Sequence, residues 1–64
     1  MKKYRDPEGS EYHLIEHDDG TSSVKIINVH GQIISELSME TSATKIMFED
    51  GDLTEIPSNE TTTQ

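Results

Sequence analysis

The sequence contains no cysteine and no tryptophan, and its 64 residues include only one phenylalanine and two tyrosines. Without cysteine, the chain can form neither a disulfide nor a thiolate metal site. A chain of this length is near the lower size limit for folding alone, because a small core must offset the entropy lost when the backbone is ordered. Self-association is the remaining device by which small domains close that gap, so we expect a homodimer.

Positive charge is also scarce. Thirteen acidic residues against five basic ones give a net charge of −8. Three of the five bases lie in the first five residues, so the rest of the chain has two lysines against all 13 acids, a net charge of −11. A surface of that sign repels a phosphate backbone, which excludes ordinary binding to nucleic acid. The simplest explanation of the charge is solubility.

Long apolar runs are absent as well. No stretch approaches the ~20 apolar residues of a membrane span. The basic residues at the N-terminus are not followed by the apolar segment of a secretory signal peptide. We therefore expect a cytoplasmic protein that makes no contact with a membrane.

Short apolar runs alternate with turn motifs along most of the chain. Asp-Gly or His-Gly pairs at residues 19–20, 30–31 and 50–51 are typical of hairpin turns, since glycine takes positive φ angles at little cost. Residues 6–9, Asp-Pro-Glu-Gly, have the pattern of a type I turn. Alternating apolar and polar residues predict five strands, at residues 12–17, 24–29, 32–39, 44–49 and 53–56.

These strands predict an all-β fold, a small antiparallel meander of about five strands curled into a barrel or half-barrel. Both faces of the central hairpin carry apolar side chains, which a flat sheet would leave exposed. The predicted self-association residues are Ile27, Val29 and Ile34. No helix longer than two turns is expected, and a short helical turn fits only residues 38–44. The domain spans residues 1–57, and the apolar-free tail at residues 58–64 is expected to be disordered.

The turn lengths predict which residues lie opposite each other. A two-residue first turn pairs Ile15 with Val24, and a two-residue second turn pairs Lys25 with Glu36. The second pair joins opposite charges, which supports that register. For the last hairpin, two-residue and three-residue turns are both compatible with the sequence, so its register stays open.

No group of residues indicates catalysis or a metal site. On a strand, His13 and His17 would lie about 13 Å apart, too far to share an ion bound at ~2 Å. The acidic stretch at residues 49–52 lacks the ligand spacing of a calcium loop. The chain also lacks a nucleophile elbow and a glycine-rich phosphate loop. We therefore expect no enzyme activity, no cofactor and no metal.

Acidic residues concentrate at the predicted hairpin tips, and they motivate a prediction of function. Dispersed carboxylates can copy the charge spacing of a nucleic-acid backbone and occupy a basic groove on another protein. In size, charge and absence of cysteine the chain is similar to small acidic inhibitors encoded by phages and mobile elements, although it shares no motif with them. We expect a nucleic-acid mimic that docks on a basic surface of a nucleic-acid-handling protein and inhibits or modulates it. The predicted partner-binding residues are Glu16, Asp18, Asp19, Glu49, Asp50, Asp52 and Glu55.

In the predicted meander the first and last hairpin tips lie at opposite ends of the strands. The acids then form a band with two poles that are roughly 17 Å apart, the length of a five-residue strand. An alternative is a self-associating β module, in which the acidity serves only solubility. Binding that weakens steeply with salt would favour the mimic, whereas strand addition would hardly change.

Overall fold

The computed structural model describes residues 1–57, and the predicted disordered tail lies outside the described residues. The fold is mostly β, with five antiparallel strands in one sheet and one helix packed against it. Strands follow one another across the sheet in the order β4-β3-β2-β1-β5. The elements are β1 Lys2–Arg5, β2 Glu11–Glu16, β3 Thr21–Ile27, β4 Ile33–Glu40, α1 Thr41–Asp50 and β5 Thr54–Ile56.

The sheet is open, so the predicted closure into a barrel is wrong. Within residues 1–57, neither β4 nor β5 has a neighbouring strand on its outer side. A sheet with one apolar face needs a second layer to cover that face. Helix α1 supplies this layer, and the curl that the sequence predicted is therefore not required.

Three turns of the same kind connect the first four strands. Gly9, Gly20 and Gly31 recur every 11 residues, and their φ angles are +99°, +87° and +82°. The residues before these glycines do not have a positive φ angle, which a two-residue type I′ loop would require, so the loops have three residues rather than the two predicted from sequence at Gly20 and Gly31. In each loop a backbone N–H donates to the carbonyl four residues later, at 2.9–3.0 Å, joining Asp6 to Ser10, His17 to Thr21 and Asn28 to Gln32.

The longer loops decide the register of the sheet. In the first hairpin Leu14, not Ile15, lies opposite Val24, so the predicted register is wrong by one residue. That shift places Leu14 and Val24 on the same face, where both are buried. In the second hairpin β4 has one additional residue, Ile34, where the register shifts between Ile26 and Ile27, and the predicted pairing of Lys25 with Glu36 is confirmed.

Strand β1 is absent from the sequence-based prediction. The predicted turn at residues 6–9 connects it to β2, and the Gly9 N–H donates to the Asp6 carbonyl at 3.0 Å. The Asp6 carboxylate also accepts hydrogen bonds from the backbone N–H groups of Glu8 and Ser10, both at 2.9 Å. The spacing of 11 residues between Gly9 and Gly20 is the sequence pattern that indicates a strand before this turn.

The predicted fourth strand, at residues 44–49, is wrong because these residues belong to α1. The helix has ten residues, close to three turns, so the limit of two turns is also wrong. Its buried residues are Thr44 and Phe48, which lie one helical turn apart on the same face. The first N–H of the helix, from Thr41, donates to the Gly20 carbonyl at 2.9 Å, which joins the helix to the β2–β3 turn.

The predicted last hairpin is replaced by a helix cap. The Asp52 N–H donates to the Glu49 carbonyl at 3.1 Å, and the Leu53 N–H donates to the Phe48 carbonyl at 3.0 Å. Asp52 has a φ angle of 56°, in the left-handed region. These bonds and this angle define a Schellman motif, and Leu53 packs against the core as that motif favours.

The core lies between α1 and the face of the sheet that carries Leu14 and Val24. Together with Phe48, these are the buried apolar residues of the described chain. The Phe48 ring meets the ring of Tyr4 edge-on at a centroid distance of 4.7 Å, and that of Tyr12 at 6.0 Å. Partly buried side chains surround this group, namely Tyr4, Tyr12, Ile26, Met39, Met47 and Leu53.

Candidate functional site

All seven predicted partner-binding acids are exposed, and they fall on three parts of the fold. Three lie at or beside the β2–β3 turn, three lie at the C-terminal end of α1, and one lies in β5. The β2–β3 turn adjoins the start of α1. The end of α1 leads into β5 at Thr54, which pairs with Arg5 at the other end of the sheet. The first group is Glu16, Asp18 and Asp19, the second is Glu49, Asp50 and Asp52, and the last is Glu55.

One groove brings members of the first two groups together. Glu16 and Glu49 line a groove of about 250 Å³ between α1 and the sheet, with Lys2 and Lys45 beside them. Its apolar walls include the Phe48 ring. The ion pairs within residues 1–57 join the Glu11 carboxylate to Arg5 and His13, so none of the seven acids takes part in one. Their charge is therefore free to act on a partner.

The helix-end acids, Glu49, Asp50 and Asp52, stand where the fold disfavours negative charge. A helix carries a partial negative charge at its C-terminus, so each exposed acid there costs about 0.3–1 kcal/mol. The last turn of α1 contains no basic residue that would offset this. The helix therefore forms in spite of these residues.

Asp52 adds a second cost. Among residues 1–57 it is the only residue other than glycine with a positive φ angle. The left-handed conformation costs a side chain roughly 1–2 kcal/mol relative to glycine, although aspartate tolerates it better than most residues. The acid is therefore placed at a position of the cap that glycine usually occupies.

Replacing Asp52 by glycine should raise the free energy of unfolding by about 1 kcal/mol, since it relieves both backbone strain and repulsion from the helix terminus. Urea denaturation followed by circular dichroism measures this change. The control is Asp50→Gly, which removes the same charge from inside the last turn; there the conformational cost of glycine offsets the relief of repulsion, so stability should stay nearly unchanged. Equal effects of the two substitutions would contradict the assigned cap.

Asp19 serves the fold, unlike its neighbour Asp18. The Asp19 carboxylate accepts hydrogen bonds from the Thr21 hydroxyl at 2.6 Å and from the Thr21 backbone N–H at 3.0 Å. These bonds hold the pKa of Asp19 below its usual value. A lowered pKa in the folded state means that this contribution to stability is present above the unfolded pKa and is lost as pH falls through the folded one. Substitution of Asp19 would therefore change folding as well as surface charge.

The three histidines lie apart in the structure. His13 makes a hydrogen bond to the Glu11 carboxylate at 3.1 Å, and that bond is the main cause of a lowered pKa at Glu11. His17 makes one to the Ser23 hydroxyl at 2.9 Å, and His30 lies in the β3–β4 turn. Within residues 1–57, no three histidine, aspartate or glutamate side chains come together as a metal site would require.

The predicted self-association residues occupy three different parts of the fold. Ile27 lies half-buried in β3, Val29 lies exposed in the β3–β4 turn, and Ile34 lies exposed in the edge strand β4. Val29 approaches the neighbouring turn so closely that a Cβ atom added to Gly9 would lie 3.1 Å from its Cγ1. Sequence reasoning missed the basic side chains that β1 adds to the sheet, because β1 itself was not predicted. The 11-residue spacing of the turns would have indicated them.

The chain was compared with protein-family models, with curated proteins and with solved structures, and nothing matches in any of the three comparisons. In the part of the chain that the structure describes, no helix is long and apolar enough to cross a membrane. The arrangement of the exposed acids is therefore the basis of the functional proposal.

Proposed function

We propose that this protein is a non-enzymatic binding protein that docks through its exposed acids on a basic surface of a nucleic-acid-handling protein, and thereby inhibits or modulates it. The observation that supports this most strongly is the position of the helix-end acids. They stand at the C-terminus of α1, exposed, with no basic residue in the last turn. Function, rather than folding, then accounts for their presence.

A purely solubilising role explains this position less well. Charge that serves solubility can stand anywhere on the surface, and acids at a helix N-terminus would stabilise the helix as well. The first turn of α1 contains no acid, and Glu40 at the N-cap makes no capping hydrogen bond through its side chain. Acids are thus placed at the end of the helix where they cost stability and left out of the turn where they would add to it.

The chemistry of a basic groove fits the exposed carboxylates. Arginine and lysine side chains that hold phosphate oxygens can hold carboxylate oxygens through the same charge-assisted hydrogen bonds. Docking also releases counterions from both surfaces, which favours association at low salt. An acidic protein seated in that groove excludes the nucleic acid by occupying the same donors.

A quantitative pull-down from nuclease-treated extract of cells that make the protein tests this proposal. The test variant is Glu49→Gln with Asp50→Asn. The control variant is Glu8→Gln with Glu40→Gln, two exposed acids away from the C-terminal end of α1, which changes the net charge equally. Asp19 is left unchanged in both variants because it stabilises a turn.

We expect the wild-type protein and the control variant to capture the same basic proteins, and the helix-end variant to lose most of them. Each protein captured in this way should release labelled nucleic acid when the wild-type protein is added. Equal capture by all three forms would contradict the proposal, because the charge at the helix end would then have no partner. The acidity would serve solubility, as in a self-associating β module.

A further inference from the structure

The sheet has two unequal faces. Helix α1 covers the face that carries Leu14 and Val24. No other element of residues 1–57 packs on the opposite face, which we call the open face. Residues that lie directly opposite in an antiparallel sheet point to the same side, so the register assigns each strand residue to one face. Lys3, His13, Lys25 and Glu36 lie side by side on the open face.

The open face carries apolar side chains that the monomer leaves unburied. Ile15 is 46% exposed. On the other side of the row that contains Lys25, Ile33 is 55% exposed and lies opposite the half-buried Ile27. The core on the other side has three fully buried apolar residues for the whole described chain. A domain this small usually gains stability by covering such a face through association.

The charge of the open face differs from that of the rest of the molecule. It carries three bases and three acids, whereas the remainder of residues 1–57 carries nine acids and two bases. Four of these six charges are separated across the sheet, with two bases on β1 and two acids on β4, while the third acid lies on β2 and the third base on β3. The bases are Lys3, Arg5 and Lys25, and the acids are Glu11, Glu36 and Glu40.

We propose that a second copy of this chain covers the open face, related to the first by a two-fold axis parallel to the strands and running between β2 and β3. Such an axis lays β4 of one copy over β1 of the other. Glu36 and Lys3 stand in the same row of the sheet, so each Glu36 faces the Lys3 of the other copy. The symmetry forms this ion pair twice and sets each His13 opposite the Lys25 of the other copy, between the two pairs. Ile15 lies in the row on one side of these residues and Ile27 in the row on the other side, and the second copy covers both.

Other placements of the second copy fit less well. A two-fold axis across the strands at this row would set Glu36 against Glu36, and an axis along β2 would set Lys3 against Lys25. Like charges placed opposite each other in an interface repel, which disfavours both placements. The molecule measures 32 × 27 × 20 Å. A face bounded by the two longer dimensions is on the scale of the roughly 800 Å² that each partner buries in a stable interface.

This interface is independent of the proposed function. Of the seven predicted partner-binding acids, Glu16 and Glu55 point to the helix-covered face and the others lie in turns or at the end of α1. They stay accessible in the dimer. A monomeric protein would therefore not contradict the proposed binding to a basic partner, and absence of that binding would not contradict the dimer.

A charge swap tests the proposal by sedimentation equilibrium at high micromolar concentration. We expect wild type to be a dimer. Lys3→Glu and Glu36→Lys should each weaken dimerisation at least about tenfold, since each sets like charges together twice. The double variant, Lys3→Glu with Glu36→Lys, should recover dimerisation because the pair is reformed with its charges exchanged.

Circular dichroism and urea denaturation confirm that each variant is folded. If one swap variant unfolds, Lys3→Gln and Glu36→Gln replace it, and each should weaken dimerisation by less than the swap. Substitution of Ile15 by serine should also weaken the dimer, because it removes an apolar side chain that the second copy would bury. A monomeric wild type, single variants that dimerise normally, or a double variant no better than the single ones would overturn the proposed interface.

Discussion

Replacement of Phe48 by alanine should leave the protein mostly unfolded at room temperature. Truncation of a buried phenylalanine costs about 3–5 kcal/mol. A chain of this length has a total stability of only about 3–10 kcal/mol. Phe48 is one of three buried apolar residues, and its ring contacts two tyrosines, at 4.7 and 6.0 Å. Urea denaturation, with the tyrosine near-ultraviolet signal as a second probe, measures the loss.

Phe48→Leu provides the matched control for this prediction. Leucine keeps most of the apolar volume and suits a helix, so it should cost much less than alanine, while the edge-on contacts worth about 0.5–1.5 kcal/mol disappear. Wild-type stability in Phe48→Ala would mean that α1 does not cover the sheet as described. The core would then have to lie elsewhere.

Replacement of Ile46 by proline should cost about 3 kcal/mol or more, since proline inside a helix removes a backbone hydrogen bond and clashes with the preceding turn. Ile46 is 63% exposed, so its side chain contributes little to the core. Thermal denaturation followed by circular dichroism measures the effect. In the variant, the helical circular dichroism signal should disappear at a lower temperature than in wild type, either before the sheet unfolds or together with it.

The substitution Ile46→Ala tests whether residues 44–49 form the helix or the strand that the sequence predicted. In α1 an exposed alanine is a better helix former than isoleucine, so stability should stay equal or rise by a few tenths of a kcal/mol. In a strand the same substitution would lower stability, because alanine fits a pleated sheet poorly. A clear loss in Ile46→Ala would therefore contradict the helix.

The sequence pattern does not predict α1, and the reason is physical. Its inward side combines Phe48 with Thr44, and threonine adds little apolar character to a helical stripe. Thr44, Ile46 and Phe48 also alternate as strand residues do, so the period of two looked stronger than the period of 3.6. Thr44 is nevertheless buried, because its hydroxyl donates to the Thr41 carbonyl at 2.6 Å and so has a partner.

The strands were easier to predict than their register. Four of the predicted strands overlap β2, β3, β4 and β5, because apolar alternation and turn motifs identify them directly. Their pairing depends on whether each loop holds two or three residues, and one residue moves every side chain to the other face. The hydrogen bond from the His17 N–H to the Thr21 carbonyl identifies the three-residue loop, and sequence alone does not reveal that bond.

For the candidate site, composition predicts exposure but not arrangement. Net charge alone indicates that the acids face water, and the structure places all seven there. That three of them crowd a helix C-terminus depends on the helix, which was not predicted. Asp19 stabilises a turn through hydrogen bonds, whereas Asp52 has a left-handed backbone angle in the helix cap. Neither property can be predicted from composition.

We propose that the helix-end acids serve a basic partner at the expense of the fold. The most direct measurement is the affinity for a captured partner over a series of salt concentrations, for wild type and for Glu49→Gln with Asp50→Asn. We expect wild-type binding to weaken steeply with salt, and the variant to bind more weakly, with a shallower slope, while its free energy of unfolding stays equal or rises. Binding that is insensitive to salt, or a variant that binds as wild type does, would contradict the proposal.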